Sequence, residues 1–214
     1  MVQFSLWDIF TFLLGAMRWT VLLSLIAFAG GGLVGVALLL LRFLPLRGVS
    51  MAVAWYVQIF QGTPLLMQLF LVYFGLALLG MDTSPLVSAA ICLTLYASAY
   101  LTEIWRGCVN AIPKGQWEAS TSLALGYAQQ MRYVILPQAA RVAVAPTVGF
   151  MVQIIKGTAL ASVIGFVELT KAGQMISNAT YQPFLAYIFV GFFYFALCYP
   201  LSWWSHRLES HPLA

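Results

Sequence analysis

The chain has 214 residues, of which 62% are Ala, Val, Ile, Leu, Met, Phe, Trp, Tyr or Cys and 7% are Asp, Glu, Lys or Arg. Soluble domains carry roughly 25% charged residues, and ten basic plus six acidic side chains are too few to cover a globule of this length with polar surface. Lipid is therefore the solvent for most of the chain. The net charge of +4 is no nucleic-acid signature, because most basic residues flank apolar runs.

Intervals between charges mark the crossings, each needing about 20 apolar residues in a helix. Residues 1–17 lack a basic stretch, and the run behind them exceeds the roughly 7–15 apolar residues of a signal peptide. Arg18 to Arg42 leaves 23 uncharged residues, giving a first span over 19–41. Arg47 to Asp82 leaves 34, for a span over 51–80, and Asp82 to Glu103 leaves 20, for one over 84–103. Arg141 to Glu168 encloses 26 with Lys156 as the sole charge, for a span over 142–167. Lys171 to Arg207 leaves 35, for the last over 184–205. The expected fold is an all-α membrane protein, one domain over 1–214 with five transmembrane helices. Cys92, Cys108 and Cys198 show neither metal nor redox spacing, and Cys92 and Cys198 read as small apolar packers.

Five crossings put the termini on opposite sides. Loops 42–50 and 104–141 and the tail 206–214 then share one face with Arg42, Arg47, Arg106, Lys114, Arg132, Arg141 and Arg207, against Arg18 and Lys171 on the other. The positive-inside rule makes the first face cytoplasmic, with the N-terminus outside and the C-terminus inside. Trp7 and Trp19 near the outer end of the first span, and Trp203 and Trp204 near the inner end of the last, act as interface anchors in lipid.

Two spans are interrupted alike. Gln61-Gly62-Thr63-Pro64-Leu65 breaks the second and Lys156-Gly157-Thr158-Ala159-Leu160 the fourth, since Gly and Pro weaken helices and polar groups at this depth need partners. A break at each Gly-Thr leaves a half-helix whose N-terminus points into the membrane, a positive dipole end suited to an anionic group. Thr63 and Thr158 are candidates to cap those half-helices or to bond a ligand. Lys156 either pairs with a carbonyl or snorkels, or it touches the solute. Glu103 is either its counter-charge or an amine ligand, or it pairs with Arg106 three residues on. Tyr100 and Gln153 fall on turns that allow them to face a path.

The long loop 104–141 reads as two short helices with a turn at Gly126-Tyr127, jointed by Pro113 and Pro137, where proline interrupts a helix. Leu123, Leu125, Met131, Val134 and Ile135 give it apolar faces that need a partner. Within it, Glu118-Ala119-Ser120 followed by Val134-Ile135-Leu136-Pro137 resembles the cytoplasmic EAA loop of bacterial ABC-importer permeases: Glu-Ala-Ala, three residues, Gly, nine residues, Ile, one residue, Leu-Pro. The Glu-to-Pro spacing matches without a gap. Ser120 replaces the third motif residue, and Ala124 stands at the Gly position with Gly126 two residues later, which predicts a turn moved slightly along. Phe60-Gln61-Gly62-Thr63-Pro64-Leu65-Leu66, the stretch from Ser98 to Gly107, Ile112 to Ala119, Ile135 to Ala139, and Lys156 to Leu160 continuing to Gly165 resemble segments of the permeases for polar and charged amino acids. The resemblance covers about residues 15–208.

The resemblance implies a non-catalytic permease subunit of the bacterial inner membrane, working by alternating access. It also implies a cytoplasmic ATP-binding subunit, an extracytoplasmic amino-acid-binding protein and a second permease subunit, alike or different. Glu118, Ala119, Ser120, Ala124, Gly126, Leu136 and Pro137 would then couple to the ATPase. Gly62, Thr63, Pro64, Tyr100, Glu103, Gln153, Lys156, Gly157 and Thr158 would lie along the substrate path. The chain has no G-x-x-x-x-G-K-[ST] phosphate loop, and no cofactor is expected. Relatives with Lys-Asp-Thr-Ser-Leu carry an acid where this chain has Gly157, which shades the substrate away from cationic amino acids. The alternative is a stand-alone secondary transporter or channel for a small polar solute, against which the scarcity of intramembrane acids counts. An intramembrane enzyme lacks its cluster of catalytic groups, since His206 and His211 sit in the tail.

Overall fold

The computed structural model describes residues 5–210, and every regular element in them is helical. Helix α1 spans Leu6–Arg42. A reciprocal cap starts it: Ser5 Oγ accepts the Asp8 N–H at 3.2 Å while Asp8 Oδ2 accepts the Ser5 N–H at 2.9 Å, satisfying two of the N–H groups a helix start leaves free. α2 (Arg47–Gly62) and α3 (Leu65–Leu78) follow, their axes turned 105° apart at the Thr63-Pro64 break. Gly80, at φ +77°, closes α3 by placing its N–H on Ala77 O and that of Met81 on Leu76 O; a left-handed residue there frees the chain to turn.

α4 (Pro85–Asn110) starts at a Ser84 cap with proline in its first turn and runs seven residues beyond the end of the span expected at 103. It is the central column. Gly31 and Gly35 of α1 lie against it so closely that a Cβ on Gly31 would stand 2.4 Å from Ala97 Cβ. The Thr102 hydroxyl, fully buried, donates to Gly35 O at 3.2 Å and Ser98 O at 2.7 Å. Leu23, Leu69, Leu93, Leu101 and Ile154 from α1, α3, α4 and the later α7 fill the core around it.

The loop beyond α4 contains α5 (Lys114–Ser122) and α6 (Tyr127–Gln130). From Tyr127 the helix does not stop again until Gly157: a π turn over Met131–Ile135 leads directly into α7 (Leu136–Gly157). Pro137 therefore does not end a helix as its chemistry predicts. Its missing N–H and its ring's demand for room are met by the wider turn, in which the Leu136 N–H reaches back to Met131 O. α7 tightens after Gly157 into a 3₁₀ helix over Thr158–Ile164, closed by Gly165 at φ +90°. α8 (Leu169–Thr180) and α9 (Pro183–Ser210) complete the fold. A second core joins α8 and α9 to the start of α1 through Ile9, Leu13, Leu169, Ile176, Val190 and Phe193.

α1, α4, the continuous rod from Tyr127 to Ile164, and α9 are each long and apolar enough to cross a membrane, and the bent pair α2–α3 gives a fifth when counted as one broken span. The span expected over 51–80 is thus two helices at an angle, and that expected over 142–167 begins further back. The three cysteines are buried free thiols.

Candidate functional site

At the first break, α2 ends on Gly62, and Gly62, Thr63 and Pro64 are exposed. At the second, a Cβ on Gly157 would meet Leu65 Cδ2 at 3.2 Å and Leu93 Cδ2 at 3.6 Å. Leu65 is the first residue of α3, so the two interruptions, ninety residues apart in sequence, touch in space. Glycine at 157 permits that approach without displacing the Leu65 side chain.

Neither threonine caps the helix that follows it. Thr63 Oγ1 donates backward to Ile59 O at 2.7 Å, and Thr158 Oγ1 to Ile155 O at 2.7 Å. The start of α3 has no side-chain cap, leaving its first N–H groups for another acceptor. Thr158 is fully buried, and its hydroxyl secures the end of α7.

Gln153 and Lys156 are one turn apart on an exposed face of α7. Among the described residues, Lys156 makes no hydrogen bond or ion pair, and Glu103 is not its counter-charge. Glu103 accepts from Arg42 Nη1 at 3.2 Å and from Arg106 Nε at 3.0 Å, and pairs a second time with the Arg106 guanidinium. Of the two roles open to Glu103 in the sequence, the local ion pair is the one formed, extended by a second arginine from the end of α1. Tyr100 is half-buried, its ring stacked on Phe150 at 5.4 Å and tilted against Tyr96 at 4.6 Å.

Gln68 carried no signal in the sequence reading, yet it organises the first break. Its Nε2 donates to Phe60 O, Thr63 O and Thr63 Oγ1. The available clue was its position four residues after a proline, whose missing N–H orphans a carbonyl.

At the basic end of the bundle, α5 stands on a small core of Val109, Ile112, Met131, Ile135 and Ala139, flanked by Trp117 and Leu136. Of the three motif residues, Glu118 and Ala119 are exposed, whereas Ser120 is buried and donates to Trp117 O at 2.8 Å. The turn has not moved along the chain. Ala124 itself takes the left-handed conformation, φ +57°, with its N–H on Thr121 O at 2.9 Å and that of Leu125 on Ser120 O at 3.3 Å. Gly126 is extended at φ −68° and ψ 159°, a conformation open to any residue. Gln130, also unremarked in the sequence, fastens the turn from inside by donating to Thr121 Oγ1 at 3.0 Å and Leu125 O at 2.8 Å. Met131 and Ile135 find their apolar partners within the chain, while Leu123, Tyr127 and Tyr133, like Glu118 and Ala119, stay exposed. Leu136 is half-buried and Pro137 exposed.

The chain resembles known proteins over nearly its whole length. A probable glutamine ABC transporter permease of Bacillus subtilis is 33% identical over 207 residues, covering 95% of this chain and 94% of its own. The L-cystine transport system permease of the same organism is 34% identical over 210 residues, covering 98% and 88%. The crystal structure of an amino acid ABC transporter with histidines contains a chain that superposes with a TM-score of 0.93 at 31% identity, over 99% of both chains. Residues 31–211 match the family described as the binding-protein-dependent transport system inner membrane component, and it is to this family of membrane-embedded transport subunits that the chain belongs.

Proposed function

We propose that the chain is the non-catalytic permease subunit of an ATP-driven importer for polar amino acids, with the basic end of the bundle in the cytoplasm and residues 1–214 forming one transmembrane domain. The observation that carries this reading is the surface of α5 and its turn. Within sixteen residues, 118–133, Glu118 and Ala119 are presented to solvent and so are the large side chains of Leu123, Tyr127 and Tyr133, a combination that a docked protein covers better than water does. The family's transport systems work with an ATPase and an extracytoplasmic binding protein, and α5 is the element offered here to the ATPase. Rigid connection supports the role: the turn behind α5 leads without interruption into α7, so a push on α5 is delivered to the face carrying Gln153 and Lys156.

That face and the Gly62–Pro64 break supply the substrate path in this reading. The uncapped start of α3 and the unpaired Lys156 both favour a carboxylate, the group every free amino acid carries. Gly157 contributes no acid, and Glu103 is neutralised by two arginines, so nothing along the path as described complements a cationic side chain. Neutral polar and acidic amino acids are the expected substrates. A second permease subunit closes the path, since the polar groups of Gln153 and Lys156 cannot face hydrocarbon.

Uptake into proteoliposomes holding the permease, its ATPase and its binding protein tests both parts. Wild type is expected to take up a neutral or acidic amino acid in preference to arginine and lysine, and Ala119→Trp is expected to assemble but lose uptake because the bulk separates the docked surfaces. An Ala119→Trp complex that still binds the ATPase and transports at the wild-type rate excludes α5 as the coupling element, and arginine or lysine as best substrate overturns the selectivity.

A further inference from the structure

Pro64 has no amide hydrogen, so Phe60 O, four residues back, is left without a helical donor. Thr63 is extended at φ −120° and ψ 145°, which strands its own carbonyl as well. One side chain repairs both losses. Gln68 Nε2 lies 2.9 Å from Phe60 O, 3.1 Å from Thr63 O and 2.8 Å from Thr63 Oγ1. Freed backbone groups at membrane depth must find protein partners, and a carboxamide reaching back from α3 supplies them at only one relation between α2 and α3. Across the 105° turn this one side chain supplies the bonds that a continuous helix would make as a ladder of backbone bonds, while packing on α4 holds each arm separately.

The same amide is half satisfied. Gln68 is only 8% exposed, and its Oε1 is buried without a hydrogen-bond partner, alone in this among the described side chains. The Nε2 bonds across the break are thus the hydrogen bonds that hold this side chain. We propose that Gln68 is the positioning residue of the transport path: its carboxamide, reaching back from α3 across the break, sets the α2–α3 turn that presents Gly62–Pro64. The link to transport rests on the function proposed above; the control of the turn does not.

Two measurements separate these. Spin labels at Met51 and Leu78, exposed residues on the two arms, are placed on a background with the three cysteines replaced, and their separation is read by pulsed electron resonance in the purified permease. Opening the turn into one axis would lengthen that separation by about 15 Å at 1.5 Å per residue. Gln68→Leu, which keeps the bulk and removes both amide functions, is expected to shift the distribution by about a third of that or more; an unchanged distribution refutes the positioning role, whatever the protein transports. In proteoliposomes with the ATPase and binding protein, Gln68→Leu is expected to lower the uptake kcat by about tenfold. Pro64→Ala added to it restores an N–H for Phe60 O. The double variant is expected to regain thermal stability without regaining uptake, because the backbone is satisfied but the turn is no longer set. Recovery of both together shows that Gln68 serves stability alone and overturns the proposal. Should Gln68→Leu fail to fold by itself, the double variant carries the same distance and uptake tests. Wild-type protein that imports no amino acid while Gln68→Leu still opens the turn would sink the proposed substrate and leave the positioning role standing.

Discussion

Replacing Ala124 by glycine should tighten the α5 turn. Ala124 sits at φ +57°, where the Cβ of an L-residue crowds its own carbonyl at a cost of roughly 1–2 kcal/mol. Glycine removes that crowding but loses about 0.5–1 kcal/mol through the greater freedom of its unfolded chain. The balance favours Ala124→Gly by about 0.5–1 kcal/mol. The amides of Ala124 and Leu125, bonded to Thr121 O and Ser120 O, report opening of this turn directly. Hydrogen exchange over residues 118–130 in lipid nanodiscs should slow about threefold, the equivalent of about 0.7 kcal/mol in the opening equilibrium. Ala124→Val, with a branched Cβ at the same φ, should exchange faster than wild type. If Ala124→Gly exchanges at the wild-type rate or faster, the left-handed conformation at 124 is not what limits the turn, and the placement of the turn at Ala124 fails with it.

Two further substitutions probe packing and charge. Gly31→Ala places a methyl 2.4 Å from Ala97 Cβ and must push α1 off α4, so it should cost about 1–3 kcal/mol and lower the thermal midpoint of the detergent-solubilised permease; an unchanged midpoint means the two helices are not in van der Waals contact there. Glu103→Gln removes the carboxylate from a partly exposed cluster with Arg42 and Arg106, so it should change stability by less than about 1 kcal/mol and leave the KM for uptake unaltered. A raised KM would return Glu103 to the substrate path.

Composition and charge spacing were enough to place the four long spans and the broken apolar segment between the first two, because burying a charge in hydrocarbon is costly enough to exclude alternatives. They were less informative about what happens inside a crossing. Gly62-Thr63-Pro64 and Gly157-Thr158 could be recognised as weak points, but not that they meet, since contact at Leu65 depends on how α4 separates or joins two distant segments. The hydroxyls of Thr63 and Thr158 had acceptors within their own helices, 2.7 Å away in each case, and a near carbonyl outcompetes a distant amine or ligand. Gln68 and Gln130 were invisible for a related reason. An amide in an apolar run looks like a mere interruption until the carbonyls orphaned by a neighbouring turn are located.

The prolines show why that matters. Pro64, Pro137 and Pro146 each remove one donor from a helical stretch, yet only the first ends in a bend of 105°. Before Pro64, Thr63 adopts the extended conformation that proline favours in its predecessor. Before Pro137, Leu136 stays helical at φ −61° and ψ −40° because the turn there widens, with the Leu136 N–H on Met131 O. Around Pro146 the rod also continues, as α9 does through Pro200, with no side-chain donor on Val142 O or Ala196 O among the described residues. A missing donor alone thus does not bend a helix in this chain; the bend comes where the residue before the proline leaves the helix, as Thr63 does and Leu136 does not. At Pro64 the donor that replaces the lost N–H stands on the far side of the break, so the Phe60 carbonyl is satisfied across the bend and not along one rod.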